Sequence, residues 1–299
     1  MNHSLVDASP AFTHRYYTSA DGLRLHFRDY NPLGGNGTPV VCLSGLTRNS
    51  ADFDPLANAL ASGAYGTPRR VISFDYRGRG LSAYDPDWRK YTLAVEHNDI
   101  MLGLTEAGID KATFVGTSRG GLHIMLMGLA KPDILHAAIL NDIGPVIDAA
   151  GIKRIRSYLG KTTPPTTLSE AITAVKTTVS GYFPGLSDAD WETYARQSYM
   201  DDEGHLGLRY DAALAKQFES LDLNEPFPPA WQQFDALAKI PLLVVRGGLS
   251  DLLSPETLKE MAARHPACET MTVEGQGHAP LLIEPSVVAK LCAFILRAE

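Results

Sequence analysis

The chain predicts an α/β fold: a mostly parallel sheet with helices on both faces. Three observations carry this. Short β-branched apolar runs recur through the first half. Helix-like segments alternate with them. The rhythm breaks after Asn141 for a long helical stretch, and strands return only at Pro241.

Taken in order, Arg24 to Tyr30 alternates in polarity, as a half-exposed strand does. Pro39 to Leu43 and Arg70 to Phe74 are short apolar runs of the kind buried in parallel sheets. Tyr91 to Ala107 reads as an amphipathic helix stopped by Gly108. Ala112 to Gly116 is another buried strand, Gly120 to Leu129 an apolar helix, and Ala137 to Leu140 a further strand. From Gly144 to about Trp231 the pattern is helical, broken by Thr162–Pro164–Pro165–Thr166 and Glu225–Pro226–Phe227–Pro228–Pro229, which read as loops or hinges. Strands resume at Pro241 to Arg246 and Glu269 to Val273. The economical organisation is a core of 1–143 and 232–299 with a helical insert at 144–231.

Length and composition narrow the function. The 299 residues suit one large α/β domain with an insertion, and 44% hydrophobic residues can fill a core. The net charge of −7 lacks the basic footprint that nucleic acid or acidic membranes require, so neither is expected as a partner. From Gly144 to Ala236 there are 8 Lys/Arg and 13 Asp/Glu, which fits a solvated face and weakly disfavours polyanionic substrates. The uncharged apolar stretch Gly120 to Ala130 falls short of the roughly 18 residues a membrane span needs. Met1 to Tyr17 shows no charged head followed by an apolar run, so a soluble, cytoplasmic protein is expected, monomeric or a small homo-oligomer. Cys42, Cys268 and Cys292 have no paired spacing and read as small core residues. No phosphate-binding glycine motif follows a strand, and neither a cofactor nor a metal is expected.

The chemistry centres on Gly116–Thr117–Ser118–Arg119–Gly120, a G-x-S-x-G pattern between a buried strand and an apolar helix. A serine there sits on a sharp turn with its hydroxyl exposed. The flanking glycines avoid clashes within the turn, and the helix N-terminus favours a developing oxyanion. A serine hydroxyl needs a base. Of nine histidines, His278 in Gly275–Gln276–Gly277–His278–Ala279–Pro280 lies just past the last strand, at the sheet end where active sites collect. His97 and His123 lie on helix-like segments and read as structural. The imidazole needs a carboxylate. Asp251, in the loop after the strand ending near Arg246, is the expected one. Asp142, after the preceding strand, is its rival, and would otherwise brace the insert or contact a substrate group. For the tetrahedral oxyanion, the Arg119 amide is one donor by geometry. Leu46 in Ser44–Gly45–Leu46–Thr47–Arg48 is the expected second, with Gly45 giving the substrate and backbone room to approach.

Together these residues resemble the α/β-hydrolase fold superfamily, whose order of nucleophile, acid and base is that of Ser118, Asp251 and His278. Phe74–Asp75–Tyr76–Arg77–Gly78–Arg79–Gly80–Leu81–Ser82 also resembles a superfamily segment, with a structural role. The resemblance covers nearly the whole chain. It implies an eight-stranded, mostly parallel sheet with a helical cap after the sixth strand. Many relatives carry His-Gly where Ser44–Gly45 stands here, and serine at 118 departs from the branches with an aspartate nucleophile. The expected activity is hydrolysis of carboxylic esters or lactones of a small, largely apolar molecule through an acyl-enzyme. The insert's aromatics, Tyr158, Tyr182, Phe183, Trp191, Tyr194 and Tyr199, are expected mostly to pack its helices, a few facing the site. The alternatives are carbon–carbon hydrolysis of ring-cleavage products, with Arg154 and Arg156 as candidate carboxylate binders, a cofactor-free oxygenase or perhydrolase, and a non-catalytic receptor.

Overall fold

A computed structural model describes residues 12–31, 33–219, 221–223, 225 and 227–299. The first eleven residues, part of the stretch read above for a leader, and Pro226 of the proline-rich loop lie outside them. Eight strands form one sheet: β1 (Phe12–Thr18), β2 (Arg24–Tyr30), β3 (Val40–Leu43), β4 (Val71–Asp75), β5 (Ala112–Thr117), β6 (Leu135–Asn141), β7 (Leu242–Gly247) and β8 (Cys268–Val273). Their spatial order is β1-β2-β4-β3-β5-β6-β7-β8. β1 and β2 run antiparallel to their neighbours, and from β4 to β8 all pairs are parallel.

Period-two alternation sorts the strand residues between two cores. Val41, Leu43, Phe114, Ala138, Leu140 and Val244 face one side, where α2 (Leu93–Glu106), α3 (Arg119–Ala130) and α8 (Pro255–Arg264) pack. Val40, Cys42, Val115, Ile139 and Val245 face the other, where α1 (Asp54–Ser62) and α9 (Pro285–Arg297) pack. Helix α9 buries Val287, Val288, Leu291, Phe294 and Ile295 at helical spacing. Each such side chain contributes about 1.5–3 kcal/mol, so a charge at Leu291 would undo the docking of the helix. Cys42 and Cys292 are buried in this second core, as expected of small apolar residues.

Between β6 and β7 lie α4 (Ala149–Tyr158), α5 (Leu168–Val179), α6 (Asp188–Tyr199), a 3-10 segment (Ala212–Phe218) and the short α7 (Trp231–Asp235). Thr167 caps α5 through the Glu170 N–H, and Ser187 and Asp190 form a reciprocal capping box on α6. Ala171, Val175 and Val179 on α5 meet Trp191, Ala195 and Tyr199 on α6, each series spaced by four, so the two helices share a core of their own with Phe183. No helix among the described residues is long and apolar enough to cross a membrane.

Candidate active site

Three strand ends bring the side chains of the candidate site together. After β5, Ser118 adopts φ 51°, ψ −111°, a conformation that costs a non-glycine residue energy and lifts the side chain out of the turn. Gly116 and Gly120 make this turn possible. A Cβ at Gly120 would lie 2.0 Å from the Leu43 carbonyl oxygen, and one at Gly116 2.5 Å from the Gly120 carbonyl carbon. The Ser118 side chain does not cap α3. His278 Nε2 lies 2.9 Å from Ser118 Oγ.

The carboxylate against the imidazole is that of Asp142, and this corrects the expectation for Asp251. Asp142 Oδ2 lies 2.7 Å from His278 Nδ1. Asp142 follows β6 directly, has φ 57° and is fully buried. Its Oδ1 accepts the Gly247 N–H at 2.7 Å and its Oδ2 the Ser250 hydroxyl at 2.5 Å, so the β7 loop supplies donors to the Asp142 carboxylate. Asp251, one residue past Ser250, turns instead to the insert, where it accepts Nε and Nη2 of Arg154 at 2.6 and 2.8 Å. Burial pushes the Asp251 carboxyl up, but the Arg154 bonds outweigh it and hold the group below the usual carboxylate range. Asn141 at the end of β6 donates to the Pro280 carbonyl at 3.0 Å, anchoring the loop that carries His278.

Of the residues expected to supply oxyanion donors, Arg119 directly follows Ser118 and Leu46 lines the cavity with it. Arg119 opens α3, so its N–H has no intrahelical acceptor. Leu46 and Gly45 line the cavity that holds Ser118 and His278. A Cβ at Gly45 would meet Ser118 Cβ at 3.9 Å and Arg48 Cγ at 3.4 Å, ordinary contacts, so free space does not by itself demand glycine there.

One buried carboxylate ties both donor segments together. Glu96 on α2, fully buried, accepts Arg119 Nε at 2.5 Å and Arg79 Nη1 at 2.7 Å. Arg79 Nε in turn donates to the Leu46 carbonyl at 2.8 Å. Burial raises the Glu96 carboxyl, but the two guanidiniums override it and hold the group far below its usual range. His123 is buried beside this cluster, its Nε2 3.5 Å from Glu96, and burial drives its imidazole down to about 4. The Asp75–Ser82 segment is likewise spent internally: Asp75 accepts the N–H groups of Ser50 and Leu81 and faces His26 Nδ1 at 2.7 Å.

The cavity over Ser118 measures about 100 Å³. Its far wall comes from the insert, through Ile155, Tyr158, Tyr194 and Gln197. Of the insert's other aromatics, Phe183 and Trp191 pack inside the insert. Tyr182 stacks against Arg154, whose guanidinium carbon lies 4.4 Å from the ring centre. Arg154 is held by Asp251, and Arg156 donates to the carbonyls of Leu221 and Glu219 at 3.3 Å. The cation in the cavity is Arg48, which the sequence marked only as a member of the oxyanion loop. Glu96 and Asn141 carried no signal beyond their place on a helix and a strand.

Similarity to known proteins agrees with this fold. A 3-hydroxybutyrate-oligomer hydrolase from Cupriavidus necator is 34% identical over 277 residues, 89% of this chain and 91% of that protein. Esterase YbfF from Escherichia coli is 25% identical over 85% of this chain and 91% of its own length. The crystal structure of an alpha/beta hydrolase from Novosphingobium aromaticivorans superposes with a TM-score of 0.87 at 37% identity, covering 97% of this chain and all of that one. The sequence profile of the Alpha/beta hydrolase family matches residues 40–291, and the chain belongs to that family.

Proposed function

We propose that the chain is a serine hydrolase of carboxylic ester bonds, with Ser118 as nucleophile, His278 as general base and acid, and Asp142 as the carboxylate that orients His278. The observation that carries the reading is the continuous hydrogen-bond relay from Asp142 through both nitrogens of His278 to Ser118 Oγ. In the first half-reaction Ser118 Oγ attacks the ester carbonyl while its proton passes to His278 Nε2. The carbonyl oxygen becomes an oxyanion facing the N–H groups of Leu46 and Arg119. His278 then protonates the departing alkoxide, leaving the acyl group on Ser118. Water then attacks the acyl carbon as its proton passes to His278 Nε2, and collapse of the intermediate releases the acid while His278 returns that proton to Ser118 Oγ. The insert at 144–231 acts as a cap whose Tyr158 and Tyr194 bound the acyl or alcohol group, and esters of small hydroxy acids are the favoured substrates. The named Cupriavidus relative supports that last choice.

Turnover of short p-nitrophenyl esters by wild type and Ser118→Ala tests the reading. Hydrolysis is expected to fall by at least about 10³-fold in the variant. Hydrolysis that survives intact would reject it.

A further inference from the structure

Two cavities meet at Arg48. The first lies over Ser118. The second, of about 70 Å³, lies between the Thr47–Arg48 loop and helices α5 and α6. Its lining includes Thr47, Thr162, Thr178, Ser198 and Tyr199 beside Val175 and Val179. Thr47, Arg48, Tyr158 and Tyr194 border both spaces. The Arg48 side chain spans the junction. Nε and Nη2 donate to the two oxygens of Asp52, on the first cavity's wall, at 2.8 and 2.6 Å. Nη1 donates to Ser198 Oγ, on the second cavity's wall. The guanidinium carbon lies 4.5 Å from the Tyr194 ring centre.

We infer that the second cavity is a subsite for a neutral, hydroxyl-bearing segment of the substrate, one chain unit beyond the scissile bond. This rests on the ester-hydrolase reading of Ser118 and names the substrate class for it. The first argument is polar balance. Hydroxyls can both donate and accept, and an alkyl chain entering the space would displace water from them without replacing its hydrogen bonds. Thr178 already gives its proton to the Ala174 carbonyl at 2.8 Å and Ser198 its own to the Tyr194 carbonyl at 2.7 Å, which leaves their oxygens as acceptors for a substrate hydroxyl. The second argument is charge. Arg48 is matched by a two-pronged bond to Asp52, so the junction has no surplus positive charge to hold a carboxylate. The third is position. Arg48 follows Leu46 by two residues, so a chain running from the oxyanion site into the second cavity passes along this one loop.

The test is a matched pair of p-nitrophenyl esters, 5-hydroxyhexanoate and its all-carbon isostere 5-methylhexanoate. Wild type is expected to favour the oxygenated ester by about tenfold or more in kcat/KM. Thr178→Val and Ser198→Ala are each expected to cut that ratio severalfold, and together to bring it near one. Because the ratio is taken within each variant, partial loss of active protein does not affect it. Equal kcat/KM for the pair in wild type, or a ratio that survives in the double variant, overturns the assignment. A third comparison sets 3-(succinyloxy)butanoate, which ends in a carboxylate, against its methyl ester. Near-equal rates are expected, and a tenfold preference for the free acid would make Arg48 an anion anchor and refute the neutral subsite. p-Nitrophenyl acetate separates the two levels of the argument. No turnover of acetate defeats the ester-hydrolase reading, and the subsite with it. Turnover of acetate without discrimination defeats the subsite alone.

Discussion

Asp142 Oδ2 stands 2.7 Å from His278 Nδ1, while the other oxygen of the same carboxylate takes the Gly247 N–H at the same distance. The carboxylate is thereby fixed at both ends, one on β7 and one on the imidazole. Asp142→Asn is expected to lower kcat toward p-nitrophenyl butyrate by about 10³–10⁴, because an amide that donates to Nδ1 holds the wrong tautomer. Asp251→Asn is expected to stay within about tenfold of wild type. Steady-state kinetics of the two variants side by side decide between the two carboxylates.

The Arg154–Asp251 pair links the insert to the loop after β7, with both side chains mostly out of solvent. The pair is therefore expected to act mechanically rather than chemically. Arg154→Met is expected to cost about 1–3 kcal/mol of stability, read by urea unfolding, while kcat falls far less than in Asp142→Asn. An unchanged unfolding midpoint would remove the pair from the account of how the insert is held.

Glu96 joins Arg79, which braces Leu46, to Arg119, whose own N–H is the other expected oxyanion donor. Loosening this tie acts on the transition state more than on ground-state binding. Arg79→Lys, which keeps the charge but cannot reach Glu96 and the Leu46 carbonyl in the same fork geometry, is expected to lower kcat by about 10–100-fold with KM within about threefold. A rise in KM with kcat preserved would contradict this wiring.

His123 supplies a pH signature of stability. Its folded value of about 4 lies below the ordinary 6.5, so between these values the unfolded chain binds the extra proton. Stability contributed by the neutral imidazole is fully present above about pH 6.5 and is lost as pH falls toward 4, by at most about 3 kcal/mol. Chemical unfolding of wild type and His123→Phe across pH 4–7 checks it: the wild-type curve drops more steeply on acidification, and parallel curves would be the contrary result.

The strands and the nucleophile were legible because each rests on local rules. Val40–Leu43 and Ala112–Val115 are buried on both faces and read as unbroken apolar runs, and the turn at Ser118 needs the glycines that reveal it. Strand β1 escaped notice because it is an edge strand whose residues are mostly exposed, so Phe12–Thr18 shows no alternation. The choice between Asp142 and Asp251 was not local either. Both follow adjacent parallel strands, β6 and β7, and either loop can reach His278. What decides is the positive φ of Asp142, which turns its carboxylate toward the imidazole, together with the presence of Arg154 on α4 to take Asp251. The second expresses a contact across 97 residues that no sequence motif encodes.

The most direct measurement is the second-order rate of labelling by a fluorophosphonate, followed by intact mass and peptide mapping, in wild type, Ser118→Ala and Asp142→Asn. The account predicts one rapid adduct on Ser118 in wild type, none in Ser118→Ala, and labelling at least about 10²-fold slower in Asp142→Asn. Absence of an adduct in wild type, an adduct on another residue, or undiminished labelling of Asp142→Asn would contradict it.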